Sequence, residues 1–218
     1  MTQRLATPFG PSFKPGAAVQ SGPLLFDDFI GTSISTTANE ANWHSVGSVG
    51  TAALLNGADG GFVTLVSGAL ATQDAIIELD GEPFIFQTGR DLYFEARFQV
   101  DEIAGDTSIF LGLAETGFDP IDGTPTALCI GFITQSDANL DAIAGSGTGA
   151  ATVQDTGFDL VVNTNVVVAF SWNGLDQKLR FFVNGPLVHT MNPSDDNLPD
   201  FGENLNVVLS ISRSANTG

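Results

Sequence analysis

The residues best suited to chemistry are three acidic side chains at alternating positions, Glu78, Asp80 and Glu82. On a β-strand, side chains two residues apart lie on one face at a spacing of about 7 Å. A retaining glycosidase needs two carboxyl groups about 5.5 Å apart, one acting as nucleophile and the other as acid and base. Three carboxylates on one face therefore raise the hypothesis of a hydrolytic site, in which Glu78 and Glu82 are the two glutamates.

The residues around these carboxylates favour a turn over an active-site strand. The pair Asp80-Gly81 is typical of turns, because Asp hydrogen-bonds nearby backbone and Gly accepts a positive φ. Pro83 follows directly after Glu82 and has no backbone N–H to donate to a neighbouring strand. We therefore expect an exposed hairpin here and no catalysis, with glycoside hydrolysis as an alternative.

Metal-binding residue types are present but poorly spaced. His44 and His189 are the only histidines and do not give the spacing of a zinc site. Asp119 and Asp122 lie in an oxygen-rich segment around Gly123 that could hold a structural calcium ion. Because the chain lacks the regular spacing of a calcium loop, we expect no cofactor, with calcium at Asp119 and Asp122 as the alternative.

Two further motifs are better explained by structure than by chemistry. Cys129 is the only cysteine and lies in an apolar stretch, residues 127–132, so we expect it in the core. Residues 145–149 alternate glycine with Ser146 and Thr148, like a phosphate-binding loop, but no lysine follows. We expect a flexible loop there.

Few aromatic residues could stack on a sugar ring. Trp172 lies in an apolar run and is expected in the core, which leaves Trp43 and Tyr93 as candidates for a sugar platform. Two such residues are too few to predict a lectin from the sequence.

The charge of the chain excludes several classes of partner. Seven Lys and Arg residues against 25 Asp and Glu give a net charge of −18. Such a surface repels phosphate backbones and anionic lipids, so we expect neither nucleic-acid nor membrane binding. Residues 1–22 lack the apolar segment of a signal peptide, so we expect synthesis in a cytoplasm and no signal-dependent secretion.

Residues 1–22 differ in composition from the rest of the chain. They are rich in proline and glycine, contain no acidic residue, and carry Arg4 and Lys14. Proline favours an extended backbone without ladder hydrogen bonds. We expect either a frayed terminus or an extended arm that docks on a partner through Phe9 and Phe13 together with the two cations.

Residues 23–218 are predicted to form one all-β domain, because short apolar runs recur between turn clusters. Residues 91–100 alternate apolar and polar side chains, which predicts a half-buried antiparallel strand. Residues 108–114 and 127–134 are almost continuously apolar, as in central strands covered on both faces. Further strands are predicted at residues 24–30, 61–67, 75–79, 83–87, 166–172, 178–183, 186–191 and 205–211. About a dozen strands favour a two-sheet antiparallel jelly-roll sandwich.

The strand series DLYFEARFQV, SIFLGLAE, ALCIGFIT, VVVAFSW and KLRFFVNGPLV resembles concanavalin-like and laminin-G-like jelly rolls. The run Glu78-Leu79-Asp80-Gly81-Glu82 also resembles the E-x-D-x-E signature of laminarinase-like glycosidases. It departs from that family in having Gly81 at an apolar strand position. The strand resembling YFEAR also comes after the carboxylates here, whereas it precedes them in the family.

An acidic, glycine-rich jelly roll with a short Pro/Gly arm resembles the head decoration (cement) proteins of tailed bacteriophages. That resemblance implies a non-enzymatic virion protein on the capsid surface, with the major capsid protein as its partner and a homo-oligomer, most often a trimer, as its assembly. A carbohydrate-binding or receptor-binding module of a phage tail and a laminarinase-like glycosidase are the alternatives.

Overall fold

The fold is taken from a computed structural model that describes residues 34–36, 43–47, 50–54, 63–68, 73–103, 107–116, 128–135, 137–194 and 196–213. Within these ranges the chain forms fifteen strands and no helix. Consequently no described helix is long and apolar enough to span a membrane.

The strands are short in the first third of the described chain and longer after it. In chain order they are β1 (Ile34–Ser35), β2 (Trp43–Ser45), β3 (Thr51–Leu54), β4 (Val63–Val66), β5 (Ala75–Leu79), β6 (Phe84–Phe86), β7 (Leu92–Phe98), β8 (Thr107–Ala114), β9 (Leu128–Gln135), β10 (Asn139–Ser146), β11 (Thr152–Asp159), β12 (Val166–Asn173), β13 (Lys178–Val183), β14 (Leu187–Met191) and β15 (Glu203–Arg213).

Two large sheets and one hairpin account for all of these strands. A nine-stranded sheet has the order β1-β2-β5-β15-β8-β9-β10-β11, with β6 also paired to β15. A four-stranded sheet has the order β14-β13-β12-β7, and β3 and β4 form a separate hairpin. Every pairing is antiparallel except that of β1 with β2. The predicted all-β jelly-roll sandwich is therefore confirmed, with the small hairpin and the parallel pair as additions.

The main core lies between the two large sheets and is rich in phenylalanine. Phe132 of the nine-stranded sheet meets Phe181 of the four-stranded sheet edge to face, with ring centroids 5.4 Å apart. Phe94 and Phe170 stack at 5.1 Å within the four-stranded sheet. The indole N–H of Trp172 donates to the carbonyl of Gln87 at 3.0 Å, which satisfies the one polar atom of this buried side chain.

The nine-stranded sheet is buried on its outer face as well. A second cluster there contains Phe110, Ile133 and Ile143, all essentially inaccessible, and packs against Val46, Ala151 and Val153. This explains why β8 and β9 are continuously apolar, since both of their faces are covered. The prediction of two central strands from these runs is confirmed.

Most predicted strands within the described ranges match observed ones, but two long strands were not predicted. β10 and β11 form a hairpin around residues 147–151, where Gly147 and Gly149 have φ of +76° and +87°. The expected flexible loop at 145–149 is therefore wrong in part, because Gly145 and Ser146 belong to β10. The predicted strand at 24–30 and the arm at 1–22 lie outside the described residues.

Candidate functional site

Glu78, the first residue of the acidic motif, is a buried structural residue. It lies on β5 with 3% of its surface exposed. His44 on β2 is directly opposite in the register, and its Nδ1 lies 3.5 Å from Glu78 Oε1. The carboxylate therefore faces a partner within its own sheet and not an open groove.

Glu82 serves a different structural purpose on the far side of a bend. Gly81 has φ of +84°, which a side chain at this position would strain. Beyond this bend, Glu82 Oε1 accepts a hydrogen bond from the backbone N–H of Thr116 at 2.9 Å. The bend and this contact give Glu82 a separate structural role from the buried Glu78.

The expected exposed hairpin at this motif is wrong. β5 pairs with β15 through Val208 to Ile211, and β6 pairs with the same strand through Glu203 to Leu205. The chain thus continues along β15 on both sides of the bend at residues 80–83, instead of folding back on β5. The predicted change of backbone direction at Asp80-Gly81 is present, but it only interrupts the pairing with β15 and does not reverse the chain.

We call the outer side of the nine-stranded sheet the large-sheet face. It carries Glu78, Ile76, Val208, Ser210, Asn206, Phe110, Gly112, Ala114, Cys129, Gly131, Ile133, Asp141, Ile143, Val153 and Asp155, which share this side through the strand registers.

Most of the large-sheet face is closed to solvent. A Cβ at Gly112 would lie 2.2 Å from the carbonyl oxygen of Ile130 and 2.6 Å from the Cα of Gly131. Cys129 is fully buried, which confirms its predicted core position, and this burial raises the pKa of its thiol to about 12. Asn206 is fully buried, and neither polar atom of its side chain has a hydrogen-bond partner.

We call the outer side of the four-stranded sheet the small-sheet face. It carries Tyr93, Glu95 and Arg97 of β7, Val167, Ala169 and Ser171 of β12, Lys178, Arg180 and Phe182 of β13, and Leu187 and Thr190 of β14.

The register arranges the small-sheet face in rows across the four strands. Ser171 lies between Tyr93 and Arg180, and Arg180 in turn faces Thr190. The next row runs from Glu95 through Ala169 and Phe182 to Leu187. Side chains in such rows are neighbours, so the aromatic, aliphatic and cationic groups form one continuous surface. Tyr93 and Leu187 are 45% and 54% exposed.

Polar contacts hold several side chains of the small-sheet face in place. Arg180 pairs with Asp176 in the β12–β13 turn, and its hydrogen bond lowers the pKa of that carboxyl group. The phenol of Tyr93 donates a hydrogen bond to Glu95. Its pKa is raised mainly by partial burial and further by the hydrogen bond and the charge of this carboxylate. Arg97 Nε donates to Asn165 Oδ1 at 3.2 Å.

A third feature is a cleft of about 310 Å³ between the β10–β11 turn and the β14–β15 loop. Phe201 lines it, is 49% exposed, and stacks on Phe86 with ring centroids 5.7 Å apart. The cleft is lined by Ser146, Thr148, Pro193, Asp196, Asn197, Leu198, Pro199, Asp200 and Phe201. It combines one aromatic ring with several hydroxyl, amide and carboxylate groups.

Hydrogen bonds fix the polar wall of this cleft. Asn197 Nδ2 donates to the carbonyl of Ala150 at 2.8 Å, and its backbone N–H donates to Thr152 Oγ1 at 2.8 Å. The backbone N–H of Asn192 donates to Asp196 Oδ2 at 2.7 Å. These hydrogen bonds therefore connect the two loops to each other and to β11.

At one edge of the large-sheet face, three carboxylates form what we call the acidic corner: Asp137, Asp141 and Asp155. Asp141 lies directly opposite Asp155 in the β10–β11 register. Partial burial, then the charges of Asp155 and Asp137, raise the pKa of Asp141, while the side-chain amide of Asn139 opposes this shift. No described Lys or Arg forms an ion pair with these carboxylates.

Several residues singled out from the sequence have a defined place or fall outside the described ranges. Trp43 and Trp172 are 2% and 1% exposed, which leaves Tyr93 as the exposed one of the three. The arm residues Arg4, Phe9, Phe13 and Lys14 and the calcium candidates Asp119 and Asp122 lie outside the described residues. Within the described part, no group of three or more His, Cys, Asp or Glu side chains is arranged to hold a metal ion.

Sequence reasoning missed the cleft and the two sheet faces. Phe201 and Asp200 follow Pro199 in a loop, where periodicity carries no signal, and the opposite wall comes from the unpredicted β10–β11 hairpin. One sequence signal could have indicated the cleft. Residues 192–202 are rich in polar residues and proline, and they contain Phe201 outside any apolar strand-like run.

Comparison with known proteins gives the fold and nothing finer. No protein-family model and no curated protein matches the chain. A Bacteroides ovatus mixed-linkage glucan GH16 protein in complex with product is 12% identical, with a TM-score of 0.57 over 87% of this chain and 86% of that chain. Bacillus licheniformis β-glucanase is 15% identical, with a TM-score of 0.53 over 91% and 88%. The Emp46p carbohydrate recognition domain is 9% identical, with a TM-score of 0.54 over 80% and 82%.

These likenesses confirm a concanavalin-like jelly roll, the architecture of both lectin domains and β-glucanases. At such identities a shared fold does not carry a shared activity, because unrelated functions use the same scaffold.

Proposed function

We propose that this protein is a non-enzymatic virion structural protein, a bacteriophage capsid decoration protein that binds the outer capsid surface and stabilises the shell. The observation that carries the non-enzymatic part is the structural use of the acidic motif. Glu78 is buried against His44, and Glu82 accepts a backbone hydrogen bond from Thr116 across a bend. The residues best suited to hydrolysis are thus committed to holding strands together.

A decoration protein works by binding alone, which fits a molecule whose open features are surfaces. In this proposal the partner is the major capsid protein, the protein assembles as a homo-oligomer such as a trimer, and no cofactor takes part. The arm of residues 1–22, with Arg4, Phe9, Phe13 and Lys14, supplies cations and aromatic anchors without any acidic residue beside them.

Cosedimentation with the assembled shell of the parent virus tests this function. The full-length protein is expected to pellet with shells and to raise their disruption temperature. Deletion of residues 1–22 is expected to abolish both effects, whereas the exposed-site control Val161→Ala should retain them. Full binding by the arm-deleted protein would contradict the docking role of the arm, and no binding by the full chain would reject the proposed function.

Carbohydrate binding in the cleft is the second candidate function, and the exposed ring of Phe201 favours it. An aromatic face stacks on the apolar face of a sugar ring, while the carboxylate of Asp200 and the side-chain oxygen of Asn197 offer acceptors for its hydroxyls. The Emp46p domain is named for carbohydrate recognition and shares the fold, which makes this candidate compatible with the scaffold.

A glycan array followed by titration calorimetry tests the second candidate. Binding to one sugar class is expected to fall at least about tenfold in Phe201→Ala, as for other central aromatic contacts. Leu175→Ala, which removes a more exposed apolar side chain in the β12–β13 turn, is the control. An array without any positive glycan would reject this candidate.

Glycoside hydrolysis is tested directly with β-glucan. The proposal expects no hydrolysis by the wild-type chain. Hydrolysis that disappears in Glu78→Gln while the fold is retained would overturn the non-enzymatic assignment.

A further inference from the structure

Cations are concentrated on one surface of this acidic protein. The chain holds seven Lys and Arg residues, and three of them, Arg97, Lys178 and Arg180, lie on the small-sheet face. Among the described residues, Arg180 pairs with Asp176, whereas Arg97 and Lys178 form no ion pair. Arg97 therefore has no ion-pair partner among the described residues, and Lys178 interacts with the already paired Asp176 only at longer range.

The centre of the small-sheet face is apolar. Ala169 is almost buried between Glu95 and Phe182, and Leu187, at the end of the same row, is more than half exposed. Exposed aromatic and aliphatic side chains framed by arginine are typical of the centre of a protein–protein interface, where Tyr, Phe and Arg are enriched. The face therefore combines an apolar centre with cationic side chains, both of which a partner could contact.

The acidic corner is the complementary surface on the same molecule. Asp137 and Asp155 are exposed, Asp141 is partly buried beside them, and no described cation pairs with the three. Like charges that face each other across two strands are unfavourable. A cation from another molecule that binds at this corner would therefore lower the free energy of the pair. Arginine and lysine on the small-sheet face of another copy meet this requirement.

The two surfaces differ, so contact between them is head to tail. Two small-sheet faces placed against each other would bring cations against cations, which is unfavourable. A head-to-tail contact leaves the pair with one free small-sheet face and one free acidic corner, so further copies can add until the rotation closes a ring. Long-range repulsion between copies at −18 is screened beyond about 8 Å at 0.15 M salt, so the local contacts decide the outcome.

We propose that the small-sheet face of one copy binds the acidic corner of a second copy, and that this head-to-tail contact builds the homo-oligomer. The inference rests on the proposed function in one respect, because it identifies the surfaces that would build the homo-oligomer which that function includes. Contact with an acidic shell or with a polyanion would be a different use of the same face, and the experiment separates these outcomes.

Sedimentation velocity of the full-length protein at 0.15 M salt, without shells, tests the inference. The face variant is Arg97→Glu/Leu187→Glu, and the corner variant is Asp137→Asn/Asp155→Asn; all four side chains are exposed. Asn removes the negative charge but keeps the oxygen that accepts from the backbone N–H of Asn139 or Gly157. Arg90→Glu/Leu175→Glu is the matched control, because it makes the same two replacements in exposed turns beyond the end of the face. Circular dichroism confirms that each variant is folded.

The wild type and the control are expected to form the same closed oligomer. The face and corner variants are each expected to raise its dissociation constant at least about tenfold, a usual loss for central interface residues. An equimolar mixture of the two variants should form only a heterodimer, because one intact face meets one intact corner and no ring can close.

A monomeric wild type, a face variant that oligomerises normally, or a mixture that forms no heterodimer would each overturn the inference. Shell cosedimentation of the same variants is measured separately. Loss of shell binding in the face variant with the oligomer intact would assign this face to the shell instead. An oligomer that assembles as expected but never binds shells would reject the proposed function and leave the contact standing.

Discussion

The large-sheet face and the small-sheet face are both outer surfaces of one sandwich, yet they have opposite properties. The first contains side chains that are 5% exposed or less, such as Phe110, Ile133 and Val208. The second exposes Tyr93 and Leu187 and partly exposes Phe182, with cations beside them. Glu78 of the acidic motif therefore lies on the closed side of the molecule, whereas the side chains that a partner can reach lie on the open side.

The contrast is tested most strongly by the reactivity of Cys129 on the large-sheet face. Because burial raises its thiol pKa to about 12, almost no thiolate exists at pH 8 in the folded state. Reaction with a thiol reagent should be slowed by about three orders of magnitude or more relative to the urea-unfolded chain, since opening a core costs several kcal/mol. Rapid labelling of the native protein would show that the large-sheet face is open.

Two phenylalanines give a matched comparison of the faces. Phe110→Ala on the large-sheet face is expected to lower the free energy of unfolding by about 3–5 kcal/mol, as for a fully buried ring. Phe182→Ala on the small-sheet face should cost about 1 kcal/mol or less, because the ring is only partly covered. Urea denaturation measures both values. Equal losses would contradict the assignment of one closed and one open face.

The strands could be predicted where the signal is local. The alternation in residues 91–100 corresponds to β7, and the strand predicted at 178–183 corresponds to β13 with the same bounds. β10 was not predicted, because its inner side chains Leu140, Ala142 and Ala144 are mostly small and its outer positions include Asp141. Such a strand shows little hydrophobic contrast, and its burial depends on neighbours that come from elsewhere in the chain.

The candidate site depends on contacts that are far apart in sequence, which no local pattern reveals. Glu78 is closed off by His44 on one side and by β15, about 130 residues later, on the other. The Asp80-Gly81 pair correctly predicts a sharp backbone change. It cannot show that the chain then rejoins the same strand, because that outcome is decided by the length of β15.

Glycine positions provide the next test. Gly131→Val on the large-sheet face would place a Cβ 2.5 Å from the carbonyl oxygen of Leu111, so the strands must separate. Overpacking of this kind costs about 1–3 kcal/mol. Ser171→Val, in the middle of the small-sheet face, is the control and should be neutral or slightly stabilising in a strand. Thermal unfolding that ranks the two variants in the reverse order would contradict the comparison.

The smallest expected effects come from two aspartates with opposite shifts, one on each side of the molecule. The pKa of Asp141 is raised by burial and by its acidic neighbours, so its ionised form opposes folding at neutral pH. Asp141→Asn should therefore raise the melting temperature slightly at pH 7. This gain should vanish as the pH falls below the unfolded value of about 3.9, where both states are protonated.

Asp176 should behave in the opposite way. Its pKa is lowered by the hydrogen bond from Arg180, so its ionised form favours folding above the unfolded value and this contribution is lost as the pH falls through the lower folded value. Asp176→Asn should lower the melting temperature slightly at pH 7 and have no effect under strongly acidic conditions. Because both changes remove one negative charge, their difference cancels the effect of net charge. Shifts of the same sign in the two variants would show that the acidic corner and the cation-bearing sheet are not electrostatically distinct, and would remove the basis for a head-to-tail contact between them.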